Sequence, residues 1–360
     1  MNTKLFNMTN NNNPPFHFKK PTLTIEQIQQ HSRDLLLRPK TDTNSMFIIK
    51  PASSWLQQAH NRPLQRMLFS EFWHESELCI LFADTNLGKS ILAVQIAESI
   101  SRGGCINGFA TPPPAQPVLY FDFELTDKQF ENRYSLNYEN HYPFNDNFLR
   151  IELNPDLELP EGADFEQYLT YCLESAIIEH KASVLIIDNL TYLRTEIEKA
   201  KDALPLMKHL KSLKTKHNLS LLVLAHTPKR DSTKPLSRND LSGSKMLINF
   251  CDSAFAIGES HKDKNLRYLK QIKQRNTEQI YGGDNIALCQ ITKPLNFLQF
   301  DLIGYGKEYE HLKEHTEKDD TELIQQVARL HAEGLSLREI GKQLGISHGF
   351  AGKLVKRTKV

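Results

Sequence analysis

The sequence lacks the features that mark secreted, zinc-binding and membrane-spanning proteins. Its five cysteines are scattered and form no Cys-x-x-Cys pair, so neither a disulfide framework nor a zinc site is indicated. No stretch approaches about eighteen consecutive apolar residues, and the first residues contain no apolar core of a signal peptide. We therefore expect a cytoplasmic protein with no membrane partner.

The chain also lacks an excess of charge of either sign. Lysine and arginine total 44, and aspartate and glutamate total 43, which leaves a formal net charge of +1. The net charge therefore indicates no class of binding partner. A surface that binds nucleic acid would have to be a local cluster of positive charge. The 360 residues are 39% hydrophobic and 24% charged, as in ordinary globular domains.

Changes in composition and periodicity divide the chain into segments. Residues 1–22 are rich in Asn and Pro and are predicted to be a disordered arm, and residues 23–46 have the apolar spacing of a short helix. Over residues 47–303, short apolar runs alternate with helical periods, which is typical of βα units around a parallel sheet. A charged stretch, 304–320, is predicted to be a linker before a small helical domain at 321–360.

Within residues 47–303 the pattern predicts an α/β fold with a mostly parallel sheet. The predicted strands are 78–83, 118–123, 184–187, 219–225, 254–257 and 268–273. The predicted helices are 91–102, 128–138, 165–180 and 201–217.

The first of these strands ends at a Walker A pattern, with Ala in the first glycine position. Gly88 lets the backbone approach phosphates closely, and the helix that follows adds its positive dipole end. Lys89 is predicted to neutralise the β- and γ-phosphates, and the Ser90 hydroxyl to bind Mg²⁺. A chance match is the alternative, but strand, loop and helix follow in the required order. The predicted nucleotide-binding residues are Ala83, Asp84, Thr85, Asn86, Leu87, Gly88, Lys89, Ser90 and Ile91.

Polar residues follow three further strands, where ligands of open α/β sheets bind. Asp188 ends a Walker B pattern and is predicted to hold Mg²⁺, while Glu124 is predicted to orient and deprotonate the attacking water. His226 is predicted to report whether a γ-phosphate is present. The alternative for each is a polar residue that only caps a strand. ATP and Mg²⁺ are the predicted cofactors.

This order of motifs resembles that of the RecA-like ATPases, in particular the DnaB-type and RepA-type hexameric helicases and related P-loop ATPases of mobile elements. The resemblance covers about residues 47–302 and implies a RecA-like core, a homo-oligomer that is a hexamer, and ATP between subunits. It also implies Glu124 as the catalytic glutamate. Three departures are Ala83 in the loop, Asn189 after Asp188, and the lack of an evident amino-terminal collar domain.

Two cations near the end of the last predicted strand extend the resemblance. Lys273 and Arg275 lie in Lys-Gln-Arg-Asn, which is similar to the strand that DnaB-type motors insert into the neighbouring ATP site. By that likeness Arg275 is an arginine finger acting in trans, with Lys273 beside it. The alternative is that both lie on a solvated edge strand.

A polar, basic segment at 228–246 is predicted to be a mobile loop that faces single-stranded DNA in the channel of a ring. Its candidate phosphate contacts are Lys229, Arg230 and Lys245, together with Lys234 and Arg238. Cations in a loop are equally often only solvated.

The carboxyl-terminal residues resemble the helix-turn-helix of resolvases and small regulators. From residue 336 to 360, six cations stand against one anion, Glu339, which suits the phosphates of duplex DNA. The predicted DNA-binding residues are Ser347, His348, Lys353 and Arg357. The alternative is a three-helix module for protein contacts.

These observations lead to three functional hypotheses. The first is an ATP-hydrolysing RecA-like motor, of the helicase or translocase type, acting on DNA in replication, mobilisation or transposition of a genetic element. The second is an ATP-switched regulator that oligomerises on a specific duplex site. A third is a switch of the KaiC type that acts on protein partners.

Overall fold

The computed structural model describes residues 47–110, 114–157, 165–189, 203–228, 230–241, 244–314 and 317–357. The predicted arm at 1–22 and the predicted helix within 23–46 lie outside these residues. The chain divides into two units, Met1–Pro63 and Leu64–Val360. The described part of the first unit contains helix α1, Ala52–His60, none of whose residues is buried.

The second unit is built on a sheet of nine strands. The strands of this unit are β1 Met67–Phe69, β2 Trp73–His74, β3 Leu78–Ala83, β4 Val118–Asp122, β5 Ser135–Leu136, β6 Asn140–His141, β7 Phe148–Ile151, β8 Val184–Asp188, β9 Ser220–His226, β10 Ser253–Glu259, β11 Leu266–Lys273, β12 Ile286–Thr292 and β13 Gln299–Gly306. The large sheet has the order β13-β12-β11-β10-β3-β9-β8-β4-β7.

The sheet is mostly parallel, as predicted. The strands from β10 to β7 pair in parallel, and β11, β12 and β13 add an antiparallel meander. The central strands β3 and β8 are buried along their whole length, so they read as continuous apolar runs. Strands β7, β12 and β13 were not predicted from the sequence, because half-exposed residues interrupt their apolar pattern.

Helices cover both faces of the sheet. They are α2 Lys89–Arg102, α3 Asp127–Arg133, α4 Phe165–Glu179, α5 Ala203–His217 and α6 Ser244–Phe250, with a 3₁₀ helix at Arg238–Asp240. One hydrophobic cluster contains Leu92 and Ile96 of α2, and the other contains Met207 and Leu210 of α5. The parallel strands are therefore buried on both sides, as βα crossovers require.

The predicted helix at 128–138 is shorter in the structure. It ends at Arg133, and the small hairpin β5–β6 follows. Asn137 and Tyr138, the central residues of the hairpin turn, both have positive φ, 54° and 62°. Two positive φ values match the twist of a tight hairpin and cannot continue a right-handed helix.

The carboxyl-terminal residues form a three-helix unit, defined as α7 Glu317–Ala332, α8 Leu337–Leu344 and α9 His348–Arg357. Its core contains Val327, Ile340 and Leu354. Within the stretch predicted as a linker, β13 continues to Gly306 and a 3₁₀ helix follows at Glu308–His311. None of the described helices is long and apolar enough to cross a membrane.

Candidate active site

The ends of four adjacent strands bring the predicted site residues together. The pairing places Ala83 of β3 opposite His226 of β9, and Asp122 of β4 opposite Asp188 of β8. Because these strands are parallel, the Walker A loop, His226, Asp188 and Glu124 meet at one edge of the sheet.

Lys89 is the first residue of α2 and is held inside the loop. Its residue is 6% exposed, and its Nζ donates to the carbonyl oxygens of Ala83 and Asp84 at 3.0 and 3.1 Å. Nζ also lies 3.3 Å from Nδ1 of His226. Burial lowers the pKa of Lys89. Phosphate oxygens would be stronger partners for this ammonium group than the neutral carbonyls are.

The loop is supported from behind by the antiparallel strands. Gly88 has φ +94°, and a Cβ at this position would lie 2.9 Å from the side chains of Ile291 and Phe300. Gln95 holds Phe300 in place with two hydrogen bonds. Its side-chain oxygen accepts from the Phe300 N–H at 2.9 Å, and its Nε2 donates to the Phe300 carbonyl at 3.0 Å. Gly88 is thus required both by its φ and by this close packing, and the second reason was not visible in the sequence.

Asp188 has the surroundings expected of a metal-binding carboxylate. It is fully buried, and the Tyr120 hydroxyl donates to its Oδ2 at 2.7 Å. Burial raises the pKa of Asp188 to about 6, against the lowering effect of the Ser90 and Tyr120 hydroxyls. Within the described part of the chain, Oδ1 accepts no hydrogen bond of normal geometry. A buried carboxylate oxygen without a bond, close to a serine hydroxyl, fits Mg²⁺ held by Ser90 and Asp188 directly or through water.

Glu124 lies in a cluster with Asn189 and His226. Nδ2 of Asn189 is within hydrogen-bond distance of Glu124 Oε1 and 2.9 Å from His226 Nε2. His226 Nε2 is 3.3 Å from the same Glu124 oxygen. The hydrogen bond from His226 is the main reason why the pKa of Glu124 is lowered, so this carboxylate is ionised at neutral pH.

Two donors in this cluster compete for one carboxylate oxygen. The Asn189 amide and Nε2 of His226 both reach Oε1 of Glu124, whereas Nζ of Lys89 contacts the Ala83 and Asp84 carbonyls and Nδ1 of His226. An ammonium group has no acceptor capacity, and a neutral imidazole has one acceptor nitrogen. A γ-phosphate beside Lys89 would supply further acceptor oxygens. From the sequence, Asn189 was visible only as a departure from the motif, and its place in this cluster was not predicted.

Asp122 fixes the backbone that carries Glu124. Its Oδ1 accepts from the N–H groups of Glu124 and Leu125 at 3.2 and 3.0 Å. Its Oδ2 accepts from Nε of Arg150 at 2.8 Å, and Arg150 also donates to the Leu125 carbonyl. Asp122 precedes Glu124 by only two residues, but its role as a buried anchor depends on Arg150, which lies in strand β7 and is distant in sequence.

Lys273 and Arg275 lie away from this edge of the sheet. Lys273 pairs with Ala254 at the start of β10, and its Nζ donates to the carbonyls of Ile248 and Cys251. Arg275 donates to Asp252 at 3.1 Å, and Asp252 also accepts from the N–H of Leu78, the first residue of β3. Arg275 is therefore close to the first residue of β3, whereas the Walker A loop follows the last residue of this strand. At about 3.3 Å per residue, the length of β3 separates Arg275 from the loop of its own chain by roughly 16 Å.

In the basic segment after β9, the described residues 230–241 form hydrogen bonds and ion pairs with the rest of the domain and with one another. Arg230 is paired with Asp240 at 3.4 Å and donates to the Lys234 carbonyl, and its side chain is 13% exposed. The N–H of Leu236 donates to Glu308 at 2.7 Å. The prediction of a mobile loop is therefore wrong for residues 230–241, and Arg230 would have to leave its partners to contact DNA. Lys229 lies outside the described residues, and Lys245 lies in α6.

The predicted DNA-binding residues of the three-helix unit lie at or in α9. Ser347 caps this helix, since its hydroxyl accepts from the N–H of Phe350 at 3.1 Å. His348 and Lys353 are exposed, and Arg357 is the last residue of the helix. Buried residues such as Ala351 and Leu354 occupy the opposite face of α9.

Comparison with known proteins identifies the nucleotide-binding part. A family model of the AAA domain matches residues 49–232, just over half of the chain. The chain belongs to this AAA domain family. Together with the Walker A loop, family membership makes it a P-loop ATPase. The match extends from α1 to the segment after His226 and so contains the phosphate-binding loop, Glu124 and Asp188.

Among solved structures, this AAA domain protein is similar to a KaiC-like protein from the hyperthermophilic archaeon Pyrococcus horikoshii OT3. The similarity covers 64% of this chain and 91% of that chain, with 12% identity and a TM-score of 0.42. No curated protein matches the chain.

We expect Asp188 to make the AAA domain less stable as pH rises when Mg²⁺ and nucleotide are absent. Its folded pKa of about 6 exceeds the value of about 4 expected for an unfolded chain, so the folded state binds the proton more tightly. The destabilising effect is absent below about pH 4 and complete above about pH 6, where it amounts to about 3 kcal/mol. Urea unfolding measures this effect. The free energy of unfolding of Asp188→Asn should exceed that of the native protein, and the difference should be larger at pH 7.5 than at pH 5.

The control for this comparison is Asp146→Asn, which changes an exposed aspartate on the same domain. It should leave the free energy of unfolding unchanged at both pH values. An equal difference between Asp188→Asn and the native protein at both pH values would contradict the assignment of the raised pKa to Asp188. Asp188→Asn should also abolish the dependence of nucleotide affinity on Mg²⁺, since an amide is a poor ligand for this ion.

Proposed function

We propose that this P-loop ATPase is a ring-forming motor that hydrolyses ATP while acting on DNA. The observation that supports hydrolysis is the cluster in which Asn189 and His226 contact Glu124 and His226 contacts Lys89, beside the buried carboxylate of Asp188. This arrangement offers donors to a γ-phosphate and an ionised carboxylate to a water molecule within the same few ångströms.

Each residue has a defined part in the proposed reaction. Lys89 and the loop N–H groups bind the β- and γ-phosphates, and Glu124 orients the water and accepts its proton as it attacks. Asp122 and Arg150 keep the backbone of Glu124 in place. Mg²⁺ held by Ser90 and Asp188 would neutralise charge on the phosphate oxygens. His226 faces the position of the γ-phosphate through its contact with Lys89.

Assembly into a ring is proposed because Arg275 is too far from its own loop to assist the reaction. It lies at the opposite edge of the sheet, where a neighbouring subunit can be reached. In that arrangement Arg275 leaves Asp252, its partner in the single chain, and stabilises charge on the phosphoryl group of the neighbour. A hexamer is the expected ring, by resemblance to the DnaB-type and RepA-type motors.

Action on DNA is supported by the surface of the three-helix unit. Arg338, Lys342, Lys353 and Lys356 are exposed and make no ion pair with any residue that the structure describes. Such cations suit the phosphates of duplex DNA, with His348 and Ser347 at the amino-terminal end of α9 for base edges. Single-stranded DNA would contact the segment after β9, including Lys229 and Lys245.

This unit also favours a second candidate function, an ATP-switched regulator that assembles on a specific duplex. Hydrolysis would then only reset the assembly. The experiment that separates the two is steady-state ATP hydrolysis by the full chain, alone, with single-stranded DNA and with duplex DNA, at one salt concentration. Stimulation by single strands of any sequence supports the motor. Indifference to single strands, with a response to one duplex, supports the regulator.

We expect Arg275→Ala and Lys89→Ala each to lose most ATP hydrolysis when tested alone. Mixing the two proteins should restore part of the activity, because an intact loop in one subunit then meets an intact Arg275 in the next. Activity is measured across mixing ratios at constant total protein. Lys264→Ala, which removes an exposed cation of the β10–β11 connection, serves as the control and should retain full activity. Lack of rescue at every ratio would contradict the role in trans.

A further inference from the structure

Asn189 occupies a position that the proposed reaction does not yet use. It follows the last residue of the Walker B strand, is 1% exposed, and its amide group lies between Glu124 and His226. The peptide bond that joins it to Asp188 is cis. These contacts join three strand ends, β4, β8 and β9, through a single side chain.

The direction of the hydrogen bonds shows what this amide can do. The Lys89 ammonium group lies 3.3 Å from His226 Nδ1 and requires that nitrogen to be an acceptor, so in this arrangement the imidazole proton is on Nε2. That proton then points to Glu124 Oε1, 3.3 Å away. Nδ2 of Asn189 lies 2.9 Å from the same His226 nitrogen. With the proton on Nε2, two donors therefore face each other, which is a donor–donor conflict between Asn189 and His226.

A γ-phosphate would reverse this arrangement. Bound to Lys89, it accepts a proton from His226 Nδ1, so Nε2 becomes the acceptor nitrogen. One hydrogen of the Asn189 amide can then be donated to His226 Nε2 and the other to Glu124 Oε1. The donor–donor conflict disappears, and Glu124 loses the bond from His226 but keeps the bond from Asn189. The change moves no net proton and shifts only the imidazole tautomer.

We propose that Asn189 is a positioning residue that relays the presence of the γ-phosphate from His226 to Glu124. When the phosphate is present, the amide holds the carboxylate in place while leaving it free of the imidazole, so that it can accept a proton from water. When only a diphosphate is bound, His226 keeps its proton on Nε2 and continues to occupy Glu124. This relay rests on the proposed function of Glu124 as the base.

The test compares Asn189→Ala with Asn189→Asp in the full chain, measuring kcat and KM for ATP. Both variants should lower kcat, by about 10- to 100-fold for Asn189→Ala, while KM changes less than about threefold. Asn189→Asp should be the more damaged, although it is nearly isosteric, because a carboxylate keeps the imidazole proton on His226 Nε2 and also repels the Glu124 carboxylate beside it. A packing role predicts the reverse order, since only Asn189→Ala leaves a cavity.

A second comparison repeats Asn189→Ala in a His226→Ala background, with single-turnover hydrolysis as the measurement. If the relay passes through His226, the loss caused by Asn189→Ala should shrink to less than about threefold there. Asn147→Ala is the matched control. It removes an amide hydrogen bond of 3.1 Å, to the Ser101 carbonyl, at the opposite edge of the sheet, and should leave kcat unchanged.

The outcomes separate the relay from the proposed function. Equal losses in both backgrounds, or a milder effect of Asn189→Asp than of Asn189→Ala, would overturn the relay while Glu124 stays the candidate base. Unchanged kcat in both Asn189 variants would also overturn it. Loss of the proposed function itself would show as a native protein that hydrolyses no ATP under any condition.

Discussion

Glu124→Gln is expected to lower ATP turnover by about 10²- to 10⁴-fold while ATP still binds. The amide cannot accept the proton of the attacking water, whereas Lys89 and the loop that bind the phosphates are unchanged. Gln can still accept hydrogen bonds from Asn189 and His226, so the cluster keeps its shape. Turnover is measured as phosphate release, and binding as the affinity for a fluorescent ATP analogue.

The matched control is Glu333→Gln, the same substitution on the three-helix unit, where Glu333 pairs with Arg329 at the surface. This variant should keep the native basal turnover, because it is remote in sequence from the catalytic cluster and touches none of its residues. Turnover within about threefold of the native value in Glu124→Gln would show that another group accepts the proton. Loss of ATP binding together with turnover would instead indicate that Glu124 shapes the nucleotide site.

Glu308→Ala is expected to lower the free energy of unfolding by about 3–5 kcal/mol. Glu308 is 2% exposed and accepts hydrogen bonds from the Leu236 N–H at 2.7 Å, the Tyr268 hydroxyl at 3.3 Å, and the Lys270 ammonium group. Removing the carboxylate leaves the largely buried charge of Lys270 without its ion-pair partner and the N–H of Leu236 without an acceptor. Both effects penalise the folded state only.

Urea unfolding of the native chain and the variant measures this loss. Glu310→Ala is the control, since Glu310 is exposed in the same 3₁₀ helix and should change stability by less than about 0.5 kcal/mol. Replacing both partners, as in Glu308→Leu with Lys270→Met, should be far less damaging than Glu308→Ala alone, because no charge is then left buried. Equal stability of Glu308→Ala and Glu310→Ala would contradict the importance of this buried pair.

The same residue links two parts of the chain that bear on function. Glu308 follows β13, before the three-helix unit, and its hydrogen bond to the Leu236 N–H holds the segment that follows β9. The N–H of Lys313 donates to the Ser232 carbonyl at 3.1 Å and adds a second connection. This explains why residues 230–241 are fixed although their composition is typical of a mobile loop.

The Walker A loop, the Walker B strand and the mostly parallel sheet could all be predicted from the sequence alone. These features depend on neighbouring residues, because a phosphate-binding loop is a run of consecutive N–H groups and a buried strand is a continuous apolar run. Lys89 and Asp188 could therefore be recognised before any contact was known. The AAA domain match and the observed sheet agree with that part of the prediction.

Which side chains meet at the site depends on the three-dimensional packing of the strands and could not be predicted. Glu124, Asn189 and His226 are joined across three strand ends, and Asp122 is anchored by Arg150 from a strand whose half-exposed residues gave no sequence signal. Phe300 supports the loop from the far end of the chain in sequence. Contacts of this kind are set by strand order and by crossovers, which no local pattern encodes. The sequence could therefore predict candidate phosphate-binding groups, but not the side chains that hold them in place.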